Sequence, residues 1–368
     1  MLLIKANRDL LLKPLQSVTG VVERRHTLPI LANVLIEKNG GTISFAATDL
    51  EIQITASTPC ESDGQQVSVT VGAKKLHDIL RSLPDDANVS LDLQDSRLQL
   101  KAGHSRFNLQ TLPAADFPRL SEGEALDGKL ALTQKMFKSL LSLVQYAMAQ
   151  QDIRYYLNGL LLVIEGSLIK AVATDGHRLA FACSALDREY EKREVILPRK
   201  TVLELSKLLS DSDEPLTLDI LQNQIRFEFS GVTLISKLVD GKFPDYTKVI
   251  PAAYHQTMVI GRLTLLQALQ RAAILSNEKI RGVRLVLSDK TLRIICTNTE
   301  QEEAQEEFEV AYDGGALDIG FNISYLLDVL TNLSAETLNC AFGDSNSSVL
   351  ISLPGRDDFK YVVMPMRI

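Results

Sequence analysis

The sequence repeats itself about every 125 residues, three times over. Ala47-Thr48-Asp49, Ala173-Thr174-Asp175 and Cys296-Thr297-Asn298 are its clearest anchors. Lys74 returns as Lys200, and the pair Phe117-Pro118 returns as Phe243-Pro244, at the same offset. Solenoid units run about 20–50 residues, whereas this period is the length of a whole domain. Three copies of one domain in tandem are therefore expected, over residues 1–125, 128–252 and 254–368. Polar, non-periodic linkers near Ser121–Gly128 and Pro251–Gln256 separate them.

Each copy divides into two similar halves, a helical segment followed by strands. In the first copy Asn7 is placed to cap a helix running to about Val22, with Leu11, Leu15, Val18 and Val22 on one face and Pro14 as an interior irregularity. Strands are expected at 32–38, 42–48 and 50–57, the first two joined by a turn at Asn39-Gly40-Gly41. A strand at 67–71, a helix over 73–83 and strands at 88–93, 97–102 and 105–111 complete the copy. The second copy predicts a helix over 133–149, strands at 159–164, 168–174 and 178–184, a helix over 199–210 and strands at 215–221, 224–229 and 232–238. Helices near 263–275 and 322–334, the latter capped by Asn322, mark the third. The fold class is α+β, with two helices and two antiparallel sheets in each copy.

No apolar run reaches the ~18 residues of a membrane span. The opening MLLIKANRDL lacks the apolar core of a signal peptide because Lys5 and Arg8 interrupt it. Cys60, Cys183, Cys296 and Cys340 lie far apart with no CxxC pair, which points to reduced thiols in a cytoplasmic protein rather than disulfides or a zinc site. The net charge of −7 disfavours a basic coat but leaves room for a basic stripe on one face.

Such a stripe is suggested by the helices. Lys74, Lys75 and Arg81 project from the second, Lys135 and Lys138 from the third, and Arg199, Lys200 and Lys207 from the fourth. Arg24 and Arg25 follow the first; Arg271, Lys279 and Arg281 lie on or after the fifth. Helix 322–334 breaks the trend, offering only Asp328. One basic helix is usually a solvated face. Several equivalent ones suit a phosphate backbone, bound without regard to sequence and weakened by salt. The acidic run Glu300, Glu302, Glu303, Glu306, Glu307 and Glu309 lacks histidine and ligand spacing, so it reads as a guarded strand edge or a subunit contact, not a metal site.

Longer motifs resemble one family. RYYLNG at 154–159, ATDGHRLA at 173–180, SKLVDGKFPDY at 236–246 and AAILSNEKIRGVRL at 272–285 are similar to the bacterial DNA polymerase III β subunit family of sliding clamps. TLPIL at 27–31, TLPAADFP at 111–118, FNISYLLDVL at 321–330 and YVVMPMRI at 361–368 extend the resemblance from end to end. It implies a head-to-tail homodimer whose six domains close a ring of pseudo-six-fold symmetry around duplex DNA. Twelve helices spaced about 9 Å apart give a circumference of roughly 110 Å and an axis-to-axis diameter near 35 Å. Subtracting a helix diameter of about 10 Å leaves roughly 25 Å, enough for a duplex held by topology rather than affinity.

The resemblance also implies site residues. A peptide-binding groove between the second and third domains carries over to Leu157, Thr174, Gly176, His177, Arg178, Leu179, Pro244, Lys248, Val249, Ser348, Val362, Met364, Pro365, Met366 and Arg367. Lys248 stands where the family often has arginine, Gln305 where it often has an acid, and Ile368 in place of a final leucine. DNA contacts carry over to Arg25, Gln151, Tyr155 and Tyr156, with Lys74 and Lys200 added from the basic faces. The subunit interface carries over to Lys75, Arg106, Phe107 and Leu109 of one protomer against Ile274, Leu275, Glu302 and Glu306 of the other. Implied partners are duplex DNA, a second copy, the replicative polymerase, the clamp loader, translesion polymerases, mismatch-repair proteins and DNA ligase. No cofactor, metal or membrane is implied.

Two other function classes compete. Asp175, His177 and Ser184 offer a base and a hydroxyl. Yet Thr174-Asp175 recurs as Thr48-Asp49 without a histidine, and the chain has neither a GxSxG elbow nor a P-loop. A repeat scaffold that binds only proteins would share the groove but would not need basic helix faces.

Overall fold

A computed structural model describes residues 1–23, 28–61, 64, 66–121, 129–252 and 254–368. Its contacts fall into two compact units, Met1–Lys135 with Glu204–Leu238, and Met136–Leu203 with Val239–Ile368.

In the first unit twelve strands follow one another in hydrogen-bonded order. They are Leu2–Asn7, Asn88–Gln94, Arg97–Ala102, Ser105–Leu112, Gln66–Gly72, Asn33–Asn39, Thr42–Thr48, Ile52–Pro59, Val232–Lys237, Gln224–Phe229, Pro215–Ile220 and Leu130–Thr133. The first four and the next four join only at Thr70–Leu112 and Val71–Thr111, so the first repeat has two four-stranded sheets. The second of these continues into the second repeat, where Ile52–Ala56 pairs antiparallel with Val232–Ser236. Helices α1 (Arg8–Val18) and α2 (Ala73–Ser82) pack on each other, burying Leu11, Leu15, Val18, Leu76 and Leu80.

The second unit contains a seven-stranded sheet ordered Gly159–Thr174, Arg178–Pro198, Arg356–Val363, Val349–Leu353, Thr337–Phe342, Gln256–Gly261 and Ala311–Tyr312. A four-stranded sheet is ordered Glu303–Glu309, Thr291–Thr297, Gly282–Ser288 and Leu317–Asn322. Again one sheet crosses repeats, because Arg178–Ala182 pairs with Phe359–Val363. Helix α3 (Gln134–Ser142) follows Leu130–Thr133, and α4 (Arg199–Leu208) follows the long strand Arg178–Pro198. Helices α5 (Arg262–Ala272) and α6 (Ile323–Asn332) pack together.

Several expectations need correction. The helix read as running to Val22 ends at Val18, that over 133–149 ends at Ser142, and that over 263–275 ends at Ala272. Each gives way to a 3₁₀ turn, at Thr19–Val21, Gln145–Ala147 and Ala273–Leu275. Nearby hydroxyls donate to local carbonyls there, Thr19 to Gln16, Ser142 to Ser139 and Ser276 to Ala273, which competes with the helical ladder. Pro14 sits inside α1 on its buried face. The strands read as 159–164 and 168–174 are one, with irregular pairing around Gly166, whose φ of +59° suits a residue without a side chain. Their partner extends through the charged stretch 187–194, whose polarity hid a solvent-facing continuation of the strand. The short strands leading into α1, α3 and α5 were not anticipated. Leu2–Asn7, the first of them, has its apolar run broken by Lys5.

Candidate binding groove

The repeated Thr-Asp dipeptide is a turn device. Thr174 Oγ1 donates to the Arg178 carbonyl (2.6 Å) and accepts from the Gly176 amide (3.1 Å), while Asp175 Oδ1 accepts from the amides of His177 (2.9 Å) and Arg178 (3.1 Å). In the first repeat Thr48 and Asp49 make the matching bonds to Ile52, Leu50 and Glu51. The carboxylate of Asp175 is thus spent on a turn. Its His177 neighbour stacks on Tyr325, ring centroids 6.5 Å apart.

Beside this turn a cleft of about 180 Å³ opens within the second unit. Its lining is Leu157, Thr174, Gly176, Arg178, Leu179, Pro244, Val249, Val362 and Met364, all anticipated, together with Arg154, Phe243 and Tyr246, which were not. The floor is a packed apolar cluster in which Leu157, Leu179, Phe243 and Val362 are buried and Tyr246 and Val249 half-buried. Such a floor suits apolar side chains, with Met364 as an adaptable edge. Arg154 was overlooked although it opens the RYYLNG motif. Its guanidinium forks onto Asp152 (3.0 and 2.8 Å), which holds that carboxyl at about 2. Gly176 has φ +89°, and a methyl there would stand 3.0 Å from Arg154 Nη2, so bare backbone lets the guanidinium close over the turn.

His177, Lys248, Ser348, Pro365, Met366 and Arg367 do not line this cleft. Lys248 is exposed and pairs with Asp245 at 3.3 Å. The Ser348 hydroxyl lies 3.1 Å from that of Tyr254, and the Met366 amide donates to the Gly320 carbonyl.

Arg178 is the most connected member. Its side chain is only 10% exposed; it donates to Asp175 (3.1 Å), Asp328 (2.5 Å) and the Tyr146 carbonyl (2.6 Å), and lies 4.5 Å from the Tyr325 ring centroid. Burial works against its charge, but Tyr361 and Asp328 outweigh that and hold the guanidinium protonated above its ordinary range. Arg178→Ala should lower stability by about 2–3 kcal/mol, because two carboxylates lose a shared cation. Arg178→Lys should recover only part, since an ammonium cannot reproduce the planar fork. Urea midpoints equal to the parent's would contradict this.

Sequence models of the N-terminal, central and C-terminal domains of the DNA polymerase III beta subunit match residues 2–121, 131–245 and 247–367. The chain belongs to the DNA polymerase III β subunit family. It is 48% identical to the beta sliding clamp of Pseudomonas putida and 45% identical to that of Escherichia coli K12, in each case over 98% of both chains. The crystal structure of the DNA polymerase III subunit beta from Pseudomonas aeruginosa superposes with a TM-score of 0.96 at 46% identity, covering 99% of this chain and 100% of that one. The pol III beta of Caulobacter crescentus gives 0.93 at 38% identity, over 99% of each. The fold is three tandem β-clamp domains, and the family role is that of a non-catalytic processivity factor for DNA polymerase.

The remaining anticipated positions occupy several elements. Lys74 and Lys75 are exposed on α2, Lys200 is half-buried on α4, and Gln151 and Tyr155 are exposed, with Tyr156 half-buried beside Tyr155 (ring centroids 5.8 Å). Arg25 lies outside the described residues. Arg106 is exposed, Phe107 half-buried and Leu109 buried on strand Ser105–Leu112. Ile274 is 78% exposed and Leu275 half-buried in the turn after α5. Glu302 is exposed, its carboxylate accepting from Asn298 Nδ2 at 2.6 Å. Glu306 is held within its own chain by a forked bridge from Arg271 (2.7 and 2.6 Å). Among the described residues, no cluster of His, Cys, Asp or Glu could hold a metal, and no helix is long and apolar enough to cross a membrane.

Proposed function

We propose that two copies of this chain close head to tail into a ring around duplex DNA, and that the groove beside Arg178 tethers partners to it. The observation that carries this reading is a pair of unmatched strand edges. Successive repeats are joined by one pairing, Ile52–Ala56 with Val232–Ser236 and Arg178–Ala182 with Phe359–Val363. The third repeat's equivalent strand, Glu303–Glu309, is an edge strand among the described residues. Ser105–Leu112, the first repeat's equivalent of the other partner, pairs on its outer side only through Thr111 and Leu112. A second copy supplies the missing neighbour in each case, as open edges invite. Charge agrees, since one strand carries Glu303, Glu307 and Glu309 beside the Arg271-bound Glu306, while Arg106 lies on the other strand and Lys101 is paired opposite it.

The three domains span 1–125, 128–252 and 254–368. Lys74, Lys200, Arg25, Gln151, Tyr155 and Tyr156 face the duplex, contacting phosphates rather than bases. The groove receives a short segment with a glutamine followed by leucine and phenylalanine, carried by the replicative polymerase, clamp loader, translesion polymerases, mismatch-repair proteins and DNA ligase. All of this takes place in the cytoplasm.

The decisive experiment is topological. Once loaded, the protein should stay on nicked circular duplex and be lost when the circle is cut. Neutralising Arg25, Lys74 and Lys200 together should reduce loading several-fold and flatten the salt dependence of direct DNA binding, leaving dimerisation intact. Equal retention on circular and linear DNA would refute the ring.

A further inference from the structure

We infer that Gly282 and Gly320 form a side-chain-free seat for Ile368, and that this seat positions the segment Met364–Ile368 as a wall of the groove. The inference rests on the groove being the partner site.

Gly282 pairs with Asn322 and Gly320 with Arg284 on adjacent antiparallel strands. Directly paired residues point to the same sheet face. The two glycines are therefore diagonal neighbours there, leaving bare backbone between the Arg284 and Asn322 side chains. Ile368 occupies that gap. A methyl on Gly320 would stand 2.8 Å from Ile368 Cδ1 and 2.5 Å from the Met366 carbonyl oxygen; one on Gly282 would stand 3.1 Å from the same Cδ1. Neither glycine adopts positive φ, so backbone conformation does not demand them. Close approach of the segment does.

Beyond the strand Arg356–Val363 the chain has no regular structure to hold it. Two backbone bonds fix it instead. The Met364 amide donates to the His177 carbonyl and the Met366 amide to the Gly320 carbonyl, each at 2.8 Å. The first lies at the Thr174–Arg178 turn, where Met364 lines the cleft; the second lies at the glycine seat. Gly282 and Gly320 thus act on the groove through the segment, as positioning residues that never touch a partner.

The test compares Gly320→Ala with Ile368→Ala. The readouts are hydrogen exchange at the Met364 and Met366 amides and anisotropy of a fluorescent peptide containing glutamine, leucine and phenylalanine. In Gly320→Ala both amides should exchange at least about tenfold faster, and peptide affinity should fall about tenfold. Ile368→Ala should shift both in the same direction by less, because it removes contacts but introduces no clash. The double variant should be no weaker than Gly320→Ala, since both changes act through one seat. Unchanged amide exchange in both variants overturns the seat. Faster exchange with full peptide affinity overturns the segment's role as a wall. If Gly320→Ala does not fold, Ile368→Ala still decides: Ile368 covers the glycines with one face and leaves 56% of its surface exposed, so its truncation spares the fold.

Discussion

Replacing Ile274 with Ala and Leu275 with Lys is expected to leave folded monomers that no longer stay on circular DNA. Ile274 is 78% exposed, although it is among the most apolar residues of the chain. Covering such a side chain at a contact is worth about 1.5–3 kcal/mol. A lysine forced against Phe107 and Leu109 adds the cost of desolvating a charge. The dimer should therefore weaken by roughly a thousandfold or more. Folding should survive, because the turn lies outside the α5 core of Leu265, Ala268, Leu269 and Ala272. Light scattering at micromolar concentration decides the matter, and a persistent dimer would show that the edges close differently.

Deleting residues 364–368 should abolish peptide binding and processive synthesis while the ring still forms. The deletion removes Met364 from the cleft and both backbone bonds that hold the segment, yet it leaves Ser105–Leu112 and Glu303–Glu309 untouched. Affinity for the peptide should fall below detection by anisotropy, and primer extension on a long template should collapse to short products. Full peptide affinity in the truncated, dimeric protein would exclude the groove as the tether.

Much of this was legible in the residues because the repeat fixes so much. Asn322 accepts from the Ser324 amide and Asn7 from the Asp9 amide, as their positions ahead of apolar periodic stretches predicted. Gly40 takes positive φ in the expected hairpin turn. Helix ends were less legible, since local hydroxyl-to-carbonyl bonds set them and propensity does not report those. In the site, Thr174, Arg178 and Leu179 could be named from the motif, whereas Arg154, Phe243 and Tyr246 could not be told from a solvated arginine and two ordinary aromatics. Ion-pair choice was equally hidden. Nothing in the spacing of Glu306 revealed that Arg271, 35 residues earlier, would reach it.

Pairing of Ile52–Ala56 with Val232–Ser236 has a consequence for how the molecule comes apart. The sequence is modular, but the sheet is not. A fragment cut after the first repeat would keep its two helices and lose the neighbour of one strand, exposing an edge on which Ile52, Ile54 and Ala56 are buried in the whole chain. Unpaired backbone next to apolar side chains is an invitation to stick. Swapping single repeats between related chains thus means transplanting a border that belongs to both neighbours, and a graft that respects only the linkers would tear it.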